Sequence, residues 1–179
     1  MKLKYTGFFF FVSTILTATT ANANLLLDPY VGAVVSAGGQ TVFIDDENHS
    51  ESAQAYGAVI GLDVPILRAE LEYNYMNNQG TKLNIGLFNI YAKMPAAMIH
   101  PYIGVGVGAT FSSKFSDMKM EDSVAAYQGM LGITFDVPVL PIKVDAEARA
   151  LYIPDIYTLE NQKPDLLHYD LRVKLRYVF

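Results

Sequence analysis

Charged side chains recur at every second position in three segments of the chain, residues 68–72, 143–149 and 170–176. Because successive side chains of a β-strand point to opposite faces, this spacing places the charges of each segment on one face of a strand. Acids and bases on facing strands can pair with one another in a closed interior, or they can line a path for ions. With one lysine from a fourth segment, this charged set contains seven basic and five acidic residues: Arg68, Glu70, Glu72, Lys93, Lys143, Asp145, Glu147, Arg149, Asp170, Arg172, Lys174 and Arg176.

Other candidates for chemistry are weak. His49, His100 and His168 lie far apart, and no serine stands at a strand spacing from any of them. The run "DDENH" at residues 45–49 could bind a hard cation such as calcium, but a solvated acidic loop is the simpler interpretation and the one we favour. "GVGVG" lacks the spacing of a nucleotide-binding loop, and the absence of Cys excludes disulfides and thiolate sites. We therefore expect no catalytic residue, no cofactor and no metal.

The first 23 residues have the features of a secretory signal peptide. Lys2 and Lys4 provide the positive start, and "GFFFFVSTIL" provides an apolar stretch that is too short to span a bilayer. Ala21 and Ala23 form a small-x-small cleavage site. We predict that residues 1–23 are a signal peptide and that residues 24–179 form one mature domain.

The mature chain would be acidic, because removal of the two lysines leaves 11 basic against 18 acidic residues. An acidic exported protein without a basic run is not expected to bind nucleic acid. No other apolar run approaches the ~20 residues of a membrane helix. If the mature domain lies in a membrane, it must cross with strands.

After residue 24 the hydrophobic pattern has a period of two almost throughout, which predicts an all-β domain. Three connections are short or contain proline, and they alternate with polar ones, of which the first is residues 38–52. This alternation predicts an up-and-down antiparallel meander with long loops at one end and tight turns at the other. The eight predicted strands are residues 27–37, 53–64, 66–77, 83–93, 101–111, 124–136, 142–152 and 168–179.

The glycines of residues 101–111 decide which face of the predicted barrel points outward. With apolar residues inside, Gly104, Gly106 and Gly108 would form a bare outer strip, whereas facing inward they make room for long charged side chains. Tyr and Phe also cluster near the strand ends, as in interfacial girdles, and strand propensity alone does not explain that position. We therefore predict an eight-stranded antiparallel transmembrane β-barrel with its apolar face outward.

Three stretches resemble the small outer-membrane β-barrel family, the OmpA/OmpX-like eight-stranded barrels of Gram-negative bacteria. They are "PYIGVGVGATF" at residues 101–111, "NIYAK" at residues 89–93, and the C-terminal strand. The resemblance implies a location in the cell outer membrane, contact with outer-membrane lipid, and delivery by periplasmic chaperones. It also implies an assembly signal for the outer-membrane insertion machinery, formed by Leu171, Val173, Leu175, Tyr177 and Phe179.

Three functions remain open at this point. The first is a non-enzymatic barrel whose loops contact an external ligand or a host surface, as a surface antigen, in adhesion or in envelope integrity. The second is a small-solute channel, in which the charged set lines a gated pore instead of forming a salt-bridged plug. The third is a lipid A-modifying enzyme, since some barrels of this type carry that activity.

Overall fold

The computed structural model describes residues 27–44, 47–78, 81–96, 98–111, 114–115, 118–119, 123–154 and 165–179. The predicted signal peptide, with Ala21 and Ala23, and the acidic residues 45–46 lie outside these ranges. No helix occurs in the described ranges, so none there is long and apolar enough to cross a membrane. The eight long strands are β1 Asp28–Ile44, β2 Glu47–Asp63, β3 Leu67–Asn78, β4 Thr81–Lys93, β5 Ile99–Thr110, β6 Ala125–Asp136, β7 Ile142–Ile153 and β8 Asp165–Val178.

Each long strand pairs antiparallel with the next, and β8 pairs with β1 to close the sheet. The closing register runs from Tyr30 opposite Val178 to Phe43 opposite Asp165. Between β5 and β6, the two-residue strands Lys114–Phe115 and Met118–Lys119 form a small hairpin, and its first strand pairs with the start of β4. The predicted eight-stranded up-and-down barrel is confirmed. Full closure leaves no sheet edge around the ring.

Side chains face the opposite way from those of a soluble barrel. On β3, Leu71 is 58% exposed, whereas its neighbours Glu70 and Glu72 are 1% and 3% exposed. The same alternation of exposed apolar and buried polar residues runs along β7 and β8. The prediction of an apolar outer face is therefore confirmed.

Exposed aromatic residues lie at both ends of the strands. The connections β2–β3, β4–β5 and β6–β7 define what we name the short-turn end, and the opposite end is the long-loop end. Tyr177 and Phe179 lie at the short-turn end, with ring centroids 5.3 Å apart in an edge-on contact. At the long-loop end the exposed tyrosines among the described residues are Tyr56, Tyr73, Tyr127, Tyr152 and Tyr169.

The first hairpin is longer than predicted, and the expected loop at residues 38–52 is wrong for most of its length. β1 continues to Ile44 and β2 begins at Glu47. Gly38 and Gly39 are the first residues of that predicted loop, but both lie within β1. A side chain on Gly38 would collide with the backbone of β8 at Tyr169 and Asp170. This glycine therefore permits close approach of two strands instead of forming a turn.

A charged lumen as the candidate functional site

Alternation on β3, β7 and β8 directs most of the charged set into the barrel. At the level nearest the short-turn end, Arg68 Nη1 on β3 donates across the lumen to Asp145 Oδ2 on β7, at 3.1 Å. Arg176 on β8 binds the same carboxylate with two nitrogens, each at 2.8 Å. The Thr134 hydroxyl donates to Asp145 Oδ1 at 2.6 Å. Asp145 thus joins strands on both sides of the lumen.

The next level is centred on Glu70. Lys174 Nζ lies 3.0 Å from Glu70 Oε1. The hydroxyls of Tyr30 and Tyr91 also donate to this carboxylate, each at 2.7 Å. Lys174 Nζ lies 3.3 Å from Glu147 Oε2, so one ammonium joins two acids. Buried charges and hydroxyls therefore connect five strands at this level, namely β1, β3, β4, β7 and β8.

A third level lies closer to the long-loop end. Glu72 pairs with Arg172, and its Oε1 lies 3.9 Å from Arg149 Nη1. Arg149 also binds Asp170 through Nε at 2.9 Å and through a second nitrogen. Asp170 is in turn 3.0 Å from His168 Nε2, and His168 is itself buried. The three levels form one stack of alternating acids and bases.

The mouth at the short-turn end contains an acid that sequence reasoning missed. Asp63 is buried, it pairs with Lys93, and its Oδ2 lies 3.3 Å from Lys143 Nζ and 3.1 Å from Arg176 Nη1. It stands where the predicted strand at residues 53–64 runs into a turn, and it continues the inward series of β2 at alternate positions. Lys93 and Lys143 therefore sit at the partly exposed mouth, and the other ten members of the charged set lie deeper.

Aromatic and amide side chains complete the lumen. The Arg68 guanidinium lies 3.8 Å from the ring centre of Tyr91 and 4.6 Å from that of Tyr102, as in cation–π contacts. Gly104 makes room for this packing, because a side chain there would overlap the Tyr91 ring and lie 3.2 Å from Met130. Tyr102 was missed because it shares its face with glycines, which suggested empty space.

The lumen near the long-loop end is apolar, which the sequence reading did not anticipate. Inward side chains of β4 and β7 make up half of this cluster, and all its members are buried. It lies between the charged stack and the long-loop end. The apolar cluster contains Ala55, Met76, Leu83, Ile85, Leu87, Val124, Ala126, Leu151, Ile153 and Leu166.

This arrangement fits structural pairing better than reaction chemistry. Each buried carboxylate of the stack faces at least one cation, which is the condition under which charges persist in an interior. Within the described residues, no group of three or more His, Cys, Asp or Glu side chains could hold a metal ion. The side chains of "DDENH" fall outside the description, so the calcium interpretation stays untested.

Comparison with known proteins shows the fold. The sequence matches no protein-family model, and it matches no curated protein. Neisserial surface protein A (NspA) has 17% identity and a TM-score of 0.68, covering 84% of this chain and 97% of that one. The N-terminal β-barrel domain of Pseudomonas aeruginosa OprF has 16% identity and a TM-score of 0.51, with 82% and 97% covered.

A third solved structure, the outer membrane protein OprG from Pseudomonas aeruginosa, has 11% identity and a TM-score of 0.52, with 85% and 95% covered. At these identities the likeness concerns the fold. The fold is that of the eight-stranded outer-membrane β-barrels, and the resemblance noted in the sequence is confirmed at that level.

Proposed function

We propose that this chain is a non-enzymatic outer-membrane β-barrel, exported with a cleaved signal peptide, whose long-loop end acts at the cell surface. The observation that carries the proposal is the inside-out burial. Val105, Leu131 and Leu171 are 65%, 65% and 72% exposed, and comparable residues surround the barrel. A soluble monomer rarely exposes so large an apolar surface, whereas a bilayer covers it.

We infer that the charged set is a plug that stabilises the barrel and does not form a pore. Ion pairs link β3 to β7 and β8 across the lumen, as at Arg68–Asp145 and Glu70–Lys174. Eight strands leave an interior that side chains can fill. The apolar cluster adds a second seal, because ions do not cross a narrow apolar constriction readily.

The purified protein should show no steady conductance in planar bilayers, or only rare small openings. Glu70→Ala and Arg149→Ala should lower thermal stability more than they change any permeability, because both residues hold buried pairs. A steady ion-selective conductance in the wild type, with selectivity shifted by these substitutions and stability unchanged, would favour the channel.

The surface role proposed here is that of an antigen, an adhesin or a contributor to envelope integrity, with an external ligand or host surface as partner. The likeness to a solved protein described as a surface protein supports this class. A lipid A-modifying enzyme is the less favoured alternative, and it predicts a mass change in lipid A when the protein is expressed.

We also propose that Leu171, Val173, Leu175, Tyr177 and Phe179 form the assembly signal read by the insertion machinery after delivery by periplasmic chaperones. An epitope placed within residues 155–164, which connect β7 and β8, should be accessible to antibody on intact cells. Removal of Phe179 should reduce that surface signal while the exported protein remains in the periplasm, because the signal peptide is unchanged.

Phe179→Tyr is the matched control, since it keeps a terminal aromatic residue. Removal of Phe179 also deletes a backbone hydrogen bond of 2.9 Å to Pro29. Refolding of the shortened chain in vesicles separates the two effects. Normal refolding with poor surface display supports a signal; normal display in cells would contradict it.

A further inference from the structure

The three turns at the short-turn end contain no polar side chain. Their sequences are "VPI" at residues 64–66, "MPAAM" at residues 94–98 and "VPVLP" at residues 137–141. Turns that face water are normally rich in Gly, Asn, Asp and Ser. Met94 and Met98 are 65% and 60% exposed, and Val139 is fully exposed. We name these three segments the apolar turn ring.

The apolar turn ring continues the outer surface of the barrel without a polar break. Leu67 and Ile99, the first residues of β3 and β5, are outward-facing and exposed. In the gap between the third turn and the first, the exposed side chains of Leu27 and Phe179 complete the circumference. The ring is therefore an annulus around the whole barrel, continuous with the face that we assign to lipid.

Charged side chains at this end lie towards the centre of the ring, including Asp28, which is exposed and lines the mouth. Asp63 is buried, and Lys93 and Lys143 lean towards it at the mouth. His100 and Asp136 pair at 3.0 Å beside a cavity of about 110 Å³. The end surface is thus polar at its centre and apolar at its rim.

Most residues of the turns either donate their backbone N–H to an acceptor or are prolines, which have no N–H. The N–H of Val64 donates to Leu67 O at 2.9 Å, and that of Leu140 donates to Val137 O at 3.2 Å. The Ala96 N–H donates to His100 Nδ1 at 3.3 Å. Proline has no N–H to satisfy. The ring contains four prolines: Pro65, Pro95, Pro138 and Pro141.

In each turn the last carbonyl accepts a hydrogen bond from the second strand after the turn. Ile66 O accepts from the Lys93 N–H at 2.8 Å, and Met98 O accepts from the Asp136 N–H at 3.3 Å. Pro141 O accepts from the Val178 N–H at 2.9 Å. Internal pairing of this kind is what a backbone needs where water is scarce.

Val139 has a backbone conformation that is unusual for valine. Its φ is +71°, in the left-handed region that a β-branched side chain rarely adopts. It follows Pro138 in the turn closed by Leu140 N–H, a position where Gly or Asn is usual in water. An apolar environment around this fully exposed position would favour an apolar side chain, and this gives a reason for valine there.

From these observations we propose that the apolar turn ring is immersed in the phospholipid of the inner leaflet, at the boundary between head groups and acyl chains. The inference rests on the proposed membrane location. Phospholipid fits better than a protein partner, because the ring surrounds the barrel and continues the lipid-facing surface, whereas a docked protein covers one patch. The polar mouth then opens at head-group level, where water is present.

Tryptophan fluorescence tests the proposal directly, since the chain contains no Trp. Val139→Trp and Met98→Trp would be compared in nanodiscs of brominated phosphatidylcholine, which quenches nearby Trp. Nanodiscs expose both barrel ends to an aqueous quencher such as iodide. Ser52→Trp, on β2 four residues beyond the Tyr56 girdle, is the aqueous control, and Leu71→Trp is the mid-bilayer control. Circular dichroism verifies that each variant is folded.

We expect Val139→Trp and Met98→Trp to emit at shorter wavelength than Ser52→Trp and to be quenched severalfold more strongly by brominated lipid. If both are quenched by iodide as Ser52→Trp is, the ring lies in water and the inference is wrong. Shielding from both quenchers would indicate a protein contact and would also overturn it. Leu71→Trp separates the immersion of the ring from the membrane location itself. If brominated lipid does not quench Leu71→Trp, the proposed membrane location is wrong.

Discussion

Replacing Glu70 with alanine should lower the free energy of unfolding by about 3–5 kcal/mol, the cost of removing one partner of a buried ion pair. The substitution leaves Glu147 as the one carboxylate paired with the Lys174 ammonium, and it removes the carboxylate that accepts from the Tyr30 and Tyr91 hydroxyls. None of these groups can reach water without opening the barrel. The measurement is urea-induced unfolding of the barrel refolded in phospholipid vesicles.

Two comparisons make this result specific. The double substitution Glu70→Ala with Lys174→Met should recover part of the loss, because replacing both members of a buried pair by apolar groups is often close to neutral. Asp28→Ala, at the exposed start of β1, should change stability by no more than about 0.5 kcal/mol. If Glu70→Ala is as mild as Asp28→Ala, the lumen holds enough water to solvate Lys174, and the plug is contradicted.

The barrel and its inverted facing could be predicted because both depend on local alternation. Apolar and polar side chains alternate without exception in residues 67–75 and 169–177, so the sequence of each segment alone defines its two faces. The up-and-down meander followed from the connection lengths, and the glycines of residues 101–111 identified the lumen side. Arg68 on β3 pairs with Asp145 on β7 across the closed ring of eight strands.

The rest depended on information that alternation does not contain. Asp63 lies where strand pattern and turn pattern overlap, and only its position beside Lys93 and Arg176 assigns it to the lumen. The inward face of β4 changes from Asn89 and Tyr91 to Leu87 and Ile85 along one strand. The outward positions beside them are Asn84 and Gly86, so the rule that the apolar face points outward gives the wrong facing for this part of β4.

Leu71→Arg should lower the stability of the barrel in vesicles by roughly 2–4 kcal/mol, the cost of a basic side chain on the lipid face at mid-depth. Leu71 lies midway along β3 and points away from the lumen, between the buried Glu70 and Glu72. The arginine cannot reach the lumen pairs, so its charge must stay in hydrocarbon or draw water into the bilayer. Unfolding by guanidinium in vesicles measures the loss.

Two further arginine substitutions are the controls, one at another depth on the same strand and one on another side of the barrel. Leu67→Arg, on the same face of β3 but at its end, should cost only about 0–1 kcal/mol, because the penalty falls towards the interface. Leu131→Arg, midway along β6 on another side of the barrel, should cost as much as Leu71→Arg, because a bilayer surrounds all sides equally. Equal costs at residues 67 and 71 would mean that no apolar slab surrounds the barrel. A large cost at Leu71 with none at Leu131 would instead indicate one covered patch, as a soluble assembly has, and the membrane assignment would fall with it.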